Sequence, residues 1–151
     1  MAAGTWNIFK NAKRQVGRGA VALQTRASRI SLHSIGASAA LSANNDITTL
    51  ASIGSEIAAT RGYAANGKTI SAAAFTLSAT NGVYSGCAVF WSANGGNLGS
   101  GTIKYAVLHF SYGGGTRFPF AYVTLSGTPF LVGDGSRLTI NNGGAKYFEI
   151  Q

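Results

Sequence analysis

An all-β fold is what this sequence predicts, a jelly-roll or related β-sandwich preceded by a short N-terminal helix or arm. Three observations carry that expectation. Apolar residues recur at every second position through the second half of the chain, as half-buried strands require. Glycine-bearing turns separate those runs. The 151 residues include 21 Gly, 8 Phe and 6 Tyr but one Met, a balance that suits sheets joined by turns better than a helical bundle. The length fits one domain with one core, so residues 1–20 are expected as a helical arm and residues 21–151 as a single sandwich domain.

In the arm, Thr5 can cap a helix beginning at Trp6, and Gly17 or Gly19 can end it. At roughly 100° per residue, Trp6, Ile8, Phe9, Ala12 and Val16 share an arc of about 160°, with Asn7, Lys10, Asn11, Arg14 and Gln15 opposite. A helix of about three turns is marginal alone in water, so this stripe must dock on the domain or on a neighbouring molecule.

Val21 with Leu23, and Ile30 with Leu32, are spaced as strand pairs, so one or two strands are expected between Val21 and Ile35. Residues 36–68 are dominated by Ala, Ser, Asn and Gly, which predicts a long ordered loop with one helical turn around Ile47 to Ile53. Structureless loops beyond about 12–15 residues are uncommon, and a loop of this length is expected to serve binding or assembly.

Beyond it the period is two. Ala73, Phe75 and Leu77 share a face, as do Val83, Cys87, Val89 and Trp91. From Ile103 to Tyr112 both faces are apolar, with Tyr105 and Val107 on one and Ala106, Leu108 and Phe110 on the other, which marks a central strand covered on both sides. Phe118 to Leu125, Arg137 to Ile140 and Ala145 to Ile150 bring the expected total to at least six strands. Asn81-Gly82, Asn94-Gly95-Gly96, Gly113-Gly114-Gly115, Asp134-Gly135 and Asn142-Gly143 supply the turns.

Twelve Lys and Arg against four acids give a net charge of +8 and a pI near 10.1. Half of the positive charge, Lys10, Lys13, Arg14, Arg18, Arg26 and Arg29, lies in the first thirty residues with no acid among it. Three roles suit such a cluster: a solvated helix face, docking onto an acidic protein lattice, or phosphate contacts with nucleic acid. The aromatic residues elsewhere alternate in strand phase and read as core, so no base-stacking platform is indicated and nucleic acid is not the expected partner. With one cysteine, neither an internal disulfide nor a cysteine-based zinc site is available within one chain. No apolar run approaches the roughly 18 residues that would span a bilayer, and the N-terminus lacks a signal-peptide pattern, so the expectation is a soluble product of the cytoplasm with no membrane partner.

Catalytic chemistry finds little to stand on. His33 and His109 are the only histidines, neither near a carboxylate in sequence, and His109 is expected as a hydrogen-bonded structural imidazole inside a strand. Cys87 alternates with Val83, Val89 and Trp91 and is expected to fill core space. Asp46, Glu56 and Asp134 fall in loops and turns, where solvation is their expected role. Gly113 to Gly115 is not followed by the Lys-Ser or Lys-Thr of a phosphate loop. We therefore expect no enzyme, no cofactor and no metal.

The order of several segments resembles a family of small tailed-phage virion proteins. Trp6-Asn7-Ile8-Phe9-Lys10-Asn11-Ala12-Lys13, the Gly19 to Leu23 segment and Arg29-Ile30-Ser31-Leu32 are similar to that family's start. Arg61-Gly62-Tyr63-Ala64-Ala65-Asn66-Gly67-Lys68-Thr69-Ile70 is similar to its Gly-Tyr-x-x-Gly-Gly-Lys segment. Ala88-Val89-Phe90-Trp91-Ser92-Ala93, Lys104-Tyr105-Ala106-Val107-Leu108 and Leu138-Thr139-Ile140 follow in the family's order. The chain departs from it with Gln24-Thr25-Arg26 where acids are common and Asn66 where a second glycine is common.

The resemblance implies a capsid decoration, or cement, protein with a jelly-roll body. Its partner would be the major capsid protein on the exterior of the phage head, and it would self-associate as a homotrimer in preference to a dimer. A stable contact of this kind needs roughly 800 Å² per partner. Trp6, Phe9, Lys10, Lys13, Arg14 and Arg18 are the expected contact residues, since aromatic and Arg side chains dominate interface energies, followed by Asn44, Asn45 and Tyr63 in the loop. A head-tail or tail component, including a host-binding one, and a nucleic-acid-binding virion protein are the alternatives.

Overall fold

A computed structural model describes residues 5–19, 27–43, 47–78, 81–111, 115–140 and 146–150. In chain order its elements are β1 (Asn7–Ile8), α1 (Lys10–Gly17), β2 (Ser28–Ser34), α2 (Ser38–Ala43), β3 (Lys68–Thr69), β4 (Ala74–Ser78) and β5 (Asn81–Ser85). There follow β6 (Val89–Ser92), β7 (Leu98–Ser111), β8 (Arg117–Thr124), β9 (Phe130–Val132), β10 (Arg137–Ile140) and β11 (Lys146–Ile150). The described residues are mostly β, with two short helices, and every strand pairing among them is antiparallel. The large sheet has the order β1-β8-β7-β2-β3, with β9 added to the first part of β7, beside a three-stranded sheet β11-β5-β4 and a ribbon β10-β6.

The helix starts later than its apolar arc predicts. Asn7 and Ile8 pair with Tyr122 and Ala121, and the Phe9 N–H donates to the Phe120 carbonyl at 3.0 Å. These bonds occupy the edge of β8 that a helix begun at Trp6 would leave open. Phe9 then stays extended as the N-cap. At the other end the left-handed Gly19 (φ 66°) turns its N–H onto the Val16 carbonyl, the expected glycine stop.

This segment is fastened to the body. Phe9 and Ala12 are fully buried, the Phe9 ring lies 5.3 Å from that of Tyr122, and the Asn11 amide donates to the Ile47 carbonyl. Truncating Phe9 to alanine removes a buried ring from this joint and is expected to cost about 3–5 kcal/mol, read as a lowered urea midpoint.

β7 is the central strand, buried on both faces from Tyr105 to Phe110. On one side Phe110 meets Tyr84 edge-on at 5.7 Å and Phe120 at 5.4 Å, so the three-stranded sheet covers that face. On the other side Tyr105 shares a hydrogen bond with Ser38, and Tyr122 carries Phe9, so α1 and the segment after β2 form the cover. In the ribbon Val89 and Trp91 are buried while Phe90 is exposed.

The expected loop of residues 36–68 is largely a core element. It holds α2 and a 3-10 turn at Leu50–Ser52, within the span predicted for a helical turn. Leu41, Ile47, Leu50, Ile53, Ile57 and Tyr63 are all buried. Its second half also seals the edge of β2 beyond the two-residue β3. Ser34 N–H donates to the Ser55 carbonyl, Ile57 N–H to the Leu32 carbonyl, and Leu32 N–H to the Tyr63 hydroxyl. A phenol thus stands where a neighbouring strand's carbonyl would otherwise be needed.

Cys87 is not a core residue. It falls between β5 and β6, where the strand alternation stops, and its side chain is exposed. Its backbone is held by N–H donation to the Ser71 carbonyl and by the Tyr147 hydroxyl on its carbonyl. Val21, Leu23, the Gly113-Gly114 turn and Asn142-Gly143 lie outside the described residues.

Candidate functional site

Two features stand out, a basic helix face and a polar pocket beneath the edge of the large sheet. The first follows from how α1 is held. With Phe9 and Ala12 turned into the core, Lys10, Lys13, Arg14 and Arg18 are exposed, and no acid lies between Thr5 and Gly19. Four cations are thereby presented from one anchored segment.

The remaining expected contact residues fare differently. Trp6 is half-buried and packs edge-on to Tyr147 at 5.8 Å. Phe9 and Tyr63 are buried in the chain's own core, so a partner cannot reach their rings, because each fills a joint between elements. Asn44 and Asn45 lie outside the described residues.

The pocket begins with β2. Arg29, Ser31 and His33 alternate onto one face, opposite His109, Val107 and Tyr105 of β7. His33 is almost wholly buried. Its Nδ1 lies 2.7 Å from the Gly54 carbonyl and its Nε2 2.9 Å from the Ser31 hydroxyl. A carbonyl only accepts, so Nδ1 carries the proton and Nε2 accepts from Ser31. Burial holds the His33 pKa below its usual range, against the opposing pull of the Gly54 carbonyl and the Glu56 carboxylate, and the ring is neutral.

Ser31 is fully buried, so no substrate reaches the oxygen of this Ser–His pair. Ser-x-His spacing on a strand puts both side chains on one face, and that was the signal in the sequence for their contact.

Glu56 is not a solvated loop acid. One carboxylate oxygen accepts from the Tyr63 hydroxyl at 2.5 Å and from the Asn66 N–H at 2.5 Å. Burial, and then donation to Glu56, push the Tyr63 phenol well above its usual pKa. Arg29 donates to the carbonyls of Asn66 (3.0 Å) and Gly67 (2.7 Å). The carboxylate therefore braces the 54–67 segment internally, and the guanidinium ties its end to β2.

Beside this network opens a cleft of about 520 Å³, bordered by His33, Leu50, Glu56, Asn66, Thr116 and Arg117 among others. His109 lies fully buried in β7, and among the described residues no hydrogen bond of good geometry reaches either ring nitrogen, although the Asn66 carbonyl is near enough to act on the ring. Burial pushes its pKa down to about 3, and the positive charges of Arg117 and Arg29, with His33, act in the same direction against the Asn66 carbonyl. Among the described residues the buried Nε of Arg117 is also without a hydrogen-bond partner.

Among the described residues no group of three or more His, Cys, Asp or Glu could hold a metal ion. No helix among them is long and apolar enough to cross a membrane. Comparison with known proteins finds no matching family, no matching curated protein and no matching solved structure.

Proposed function

We propose that the protein is a structural component of a tailed-phage particle, a jelly-roll-related sandwich that docks on the outside of the head as a decoration protein. The observation that carries this reading is the anchored basic face of α1. Side chains of Lys10, Lys13, Arg14 and Arg18 are exposed on a backbone fixed by Phe9 and Asn11, so little ordering entropy is lost when they meet an acidic surface. The ordered resemblance of Trp6 to Lys13, Arg61 to Ile70 and the later strands to virion proteins supplies the setting. The partner is the major capsid protein, joined by self-association as a trimer around a symmetry axis. Many copies add avidity to a modest single contact.

Quantitative mass spectrometry of purified particles tests the reading. Many copies per head are expected, and the double variant Lys13→Glu, Arg18→Glu should weaken retention by about tenfold or more at low salt. A handful of copies per particle would move the protein to the tail. Absence from particles would end the proposal. The same basic face also suits nucleic acid, and tight DNA binding that collapses steeply with added salt would favour that second reading.

A further inference from the structure

We propose that the outer edge of β10 takes an extended segment of an acidic partner protein as an added strand, with acidic and apolar residues alternating along that segment. The inference is independent of the docking surface on α1 and survives or fails without it.

The edge is open and its backbone groups face outward. Among the described residues β10 pairs with β6 alone, in a two-stranded ribbon. The Ala93 N–H donates to the Ser136 carbonyl at 2.9 Å, and the left-handed Gly135 (φ 75°) donates to the Ala93 carbonyl at 3.0 Å, which fixes the phase of the ladder. From that pair onward the alternation of an antiparallel ribbon turns the N–H and C=O of Leu138 and Ile140 toward β6, and those of Arg137 and Thr139 away from it. A guest strand would bond to Arg137 and Thr139. Main-chain bonds of this kind supply affinity, and alternate side chains supply specificity.

Side chains on the outer face set the guest's charge. Phe90, 42% exposed, stands opposite Thr139, with the Arg137 guanidinium 4.3 Å and the Lys68 ammonium 4.8 Å from its ring centre. Two like charges meet over one ring, and Arg61 lies beyond them, held on the Gly95 carbonyl. Three of the six Lys and Arg beyond Arg29 thus gather here, with Asp134, in the turn leading to β10, as the acid nearest in sequence. An acidic residue paired with Arg137 would place its carboxylate on this same face, beside both cations. Its neighbour in the guest, opposite Leu138, turns to the inner face, where Leu138 is only partly buried against the core. An apolar side chain there completes the cover. Nucleic acid is disfavoured, because cations already lie over the exposed ring on which a base would stack.

Fluorescence anisotropy of a labelled Glu-Val-Glu-Val-Glu-Val peptide with the full chain decides the matter. Saturable binding is expected, at least roughly tenfold tighter than for a Lys-Val-Lys-Val-Lys-Val peptide. The same margin of roughly tenfold is expected over a glutamate peptide N-methylated at each glutamate, which keeps the charge but loses the donors that face the edge. Thr139→Pro removes one outward donor, leaves the ladder to β6 in place, and should weaken binding at least roughly tenfold. Arg137→Gln should weaken it about twofold to fivefold, as an exposed charge pair would. Should the proline variant not fold, the N-methylated peptide asks the same question of the wild type. No saturable binding, or equal binding of the lysine peptide or of the N-methylated one, overturns the proposal. So does a single-stranded oligothymidylate that binds more tightly than the glutamate peptide, which would give the face to nucleic acid.

Discussion

Replacing Gly67 with alanine is expected to remove about 4 kcal/mol or more of folding stability, beyond the ordinary range for one substitution. The reason is a backbone contact. A Cβ at position 67 would stand 1.7 Å from the Ile30 carbonyl oxygen, with no flexible side chain to give way, and the residue also holds the left-handed φ of 66° that favours glycine. Gly67 sits where the loop hands over to β3, directly against β2, and its N–H closes a turn on the Ala64 carbonyl. Pushing it outward would break the Ile30–Lys68 pairing and pull Asn66 from Glu56. The neighbouring Asn66 has almost the same φ, 67°, yet Asn66→Gly should change stability by less than about 1 kcal/mol, because only the conformation and not the space is demanding there. Urea titrations of both variants check the pair; a mild G67A beside a severe N66G would contradict the close approach.

Acidification should destabilise the protein well before its carboxylates titrate. His109 is fully buried with a pKa lowered from 6.5 to about 3. Below about pH 6.5 the unfolded chain takes up a proton that the folded chain refuses, so stability falls as pH falls, by up to about 1.4 kcal/mol per pH unit, and levels off near the folded pKa. Between pH 7 and pH 5 His109 alone should remove about 2 kcal/mol. His33, also lowered, adds in the same direction. Urea midpoints at the two pH values measure the loss, and His109→Phe, which keeps a ring but cannot titrate, should give a shallower slope. Equal midpoints at pH 5 and pH 7 in the wild type would show that the buried imidazoles do not behave this way.

Much of the fold could be read from alternation, and its failures have physical causes. Val89 and Trp91 point inward with Phe90 outward, and Arg137–Ile140 is a strand with the bounds its pattern predicted. The doubly apolar run around Tyr105 to Phe110 is indeed the covered centre. Helical periodicity misled at Trp6 to Phe9 because tertiary pairing with β8 outweighs local propensity there. Cys87 misled because apolar spacing was carried across a break between two strands. The Ala/Ser-rich segment hid its core role: Ile47, Leu50, Ile53 and Ile57 are too widely spaced for a strand and too sparse for a long helix, yet each is buried. Glu56 and Arg117 border one cleft, and Arg117 acts on His109, through folding alone across roughly 60 residues of sequence, and no local pattern announces them.

The first strand carries a kinetic consequence. Asn7 and Ile8 find their partners at Tyr122 and Ala121, so about three-quarters of the 151 residues separate the two sides of one pairing. On the ribosome the leading segment has nothing to close upon until β8 has been synthesised, and its Trp6 and Phe9 stay solvated in the interval. Loop closure of that span slows folding relative to a helical protein of equal size, and the unsealed edge of β8 is the surface through which incompletely made chains would adhere to one another.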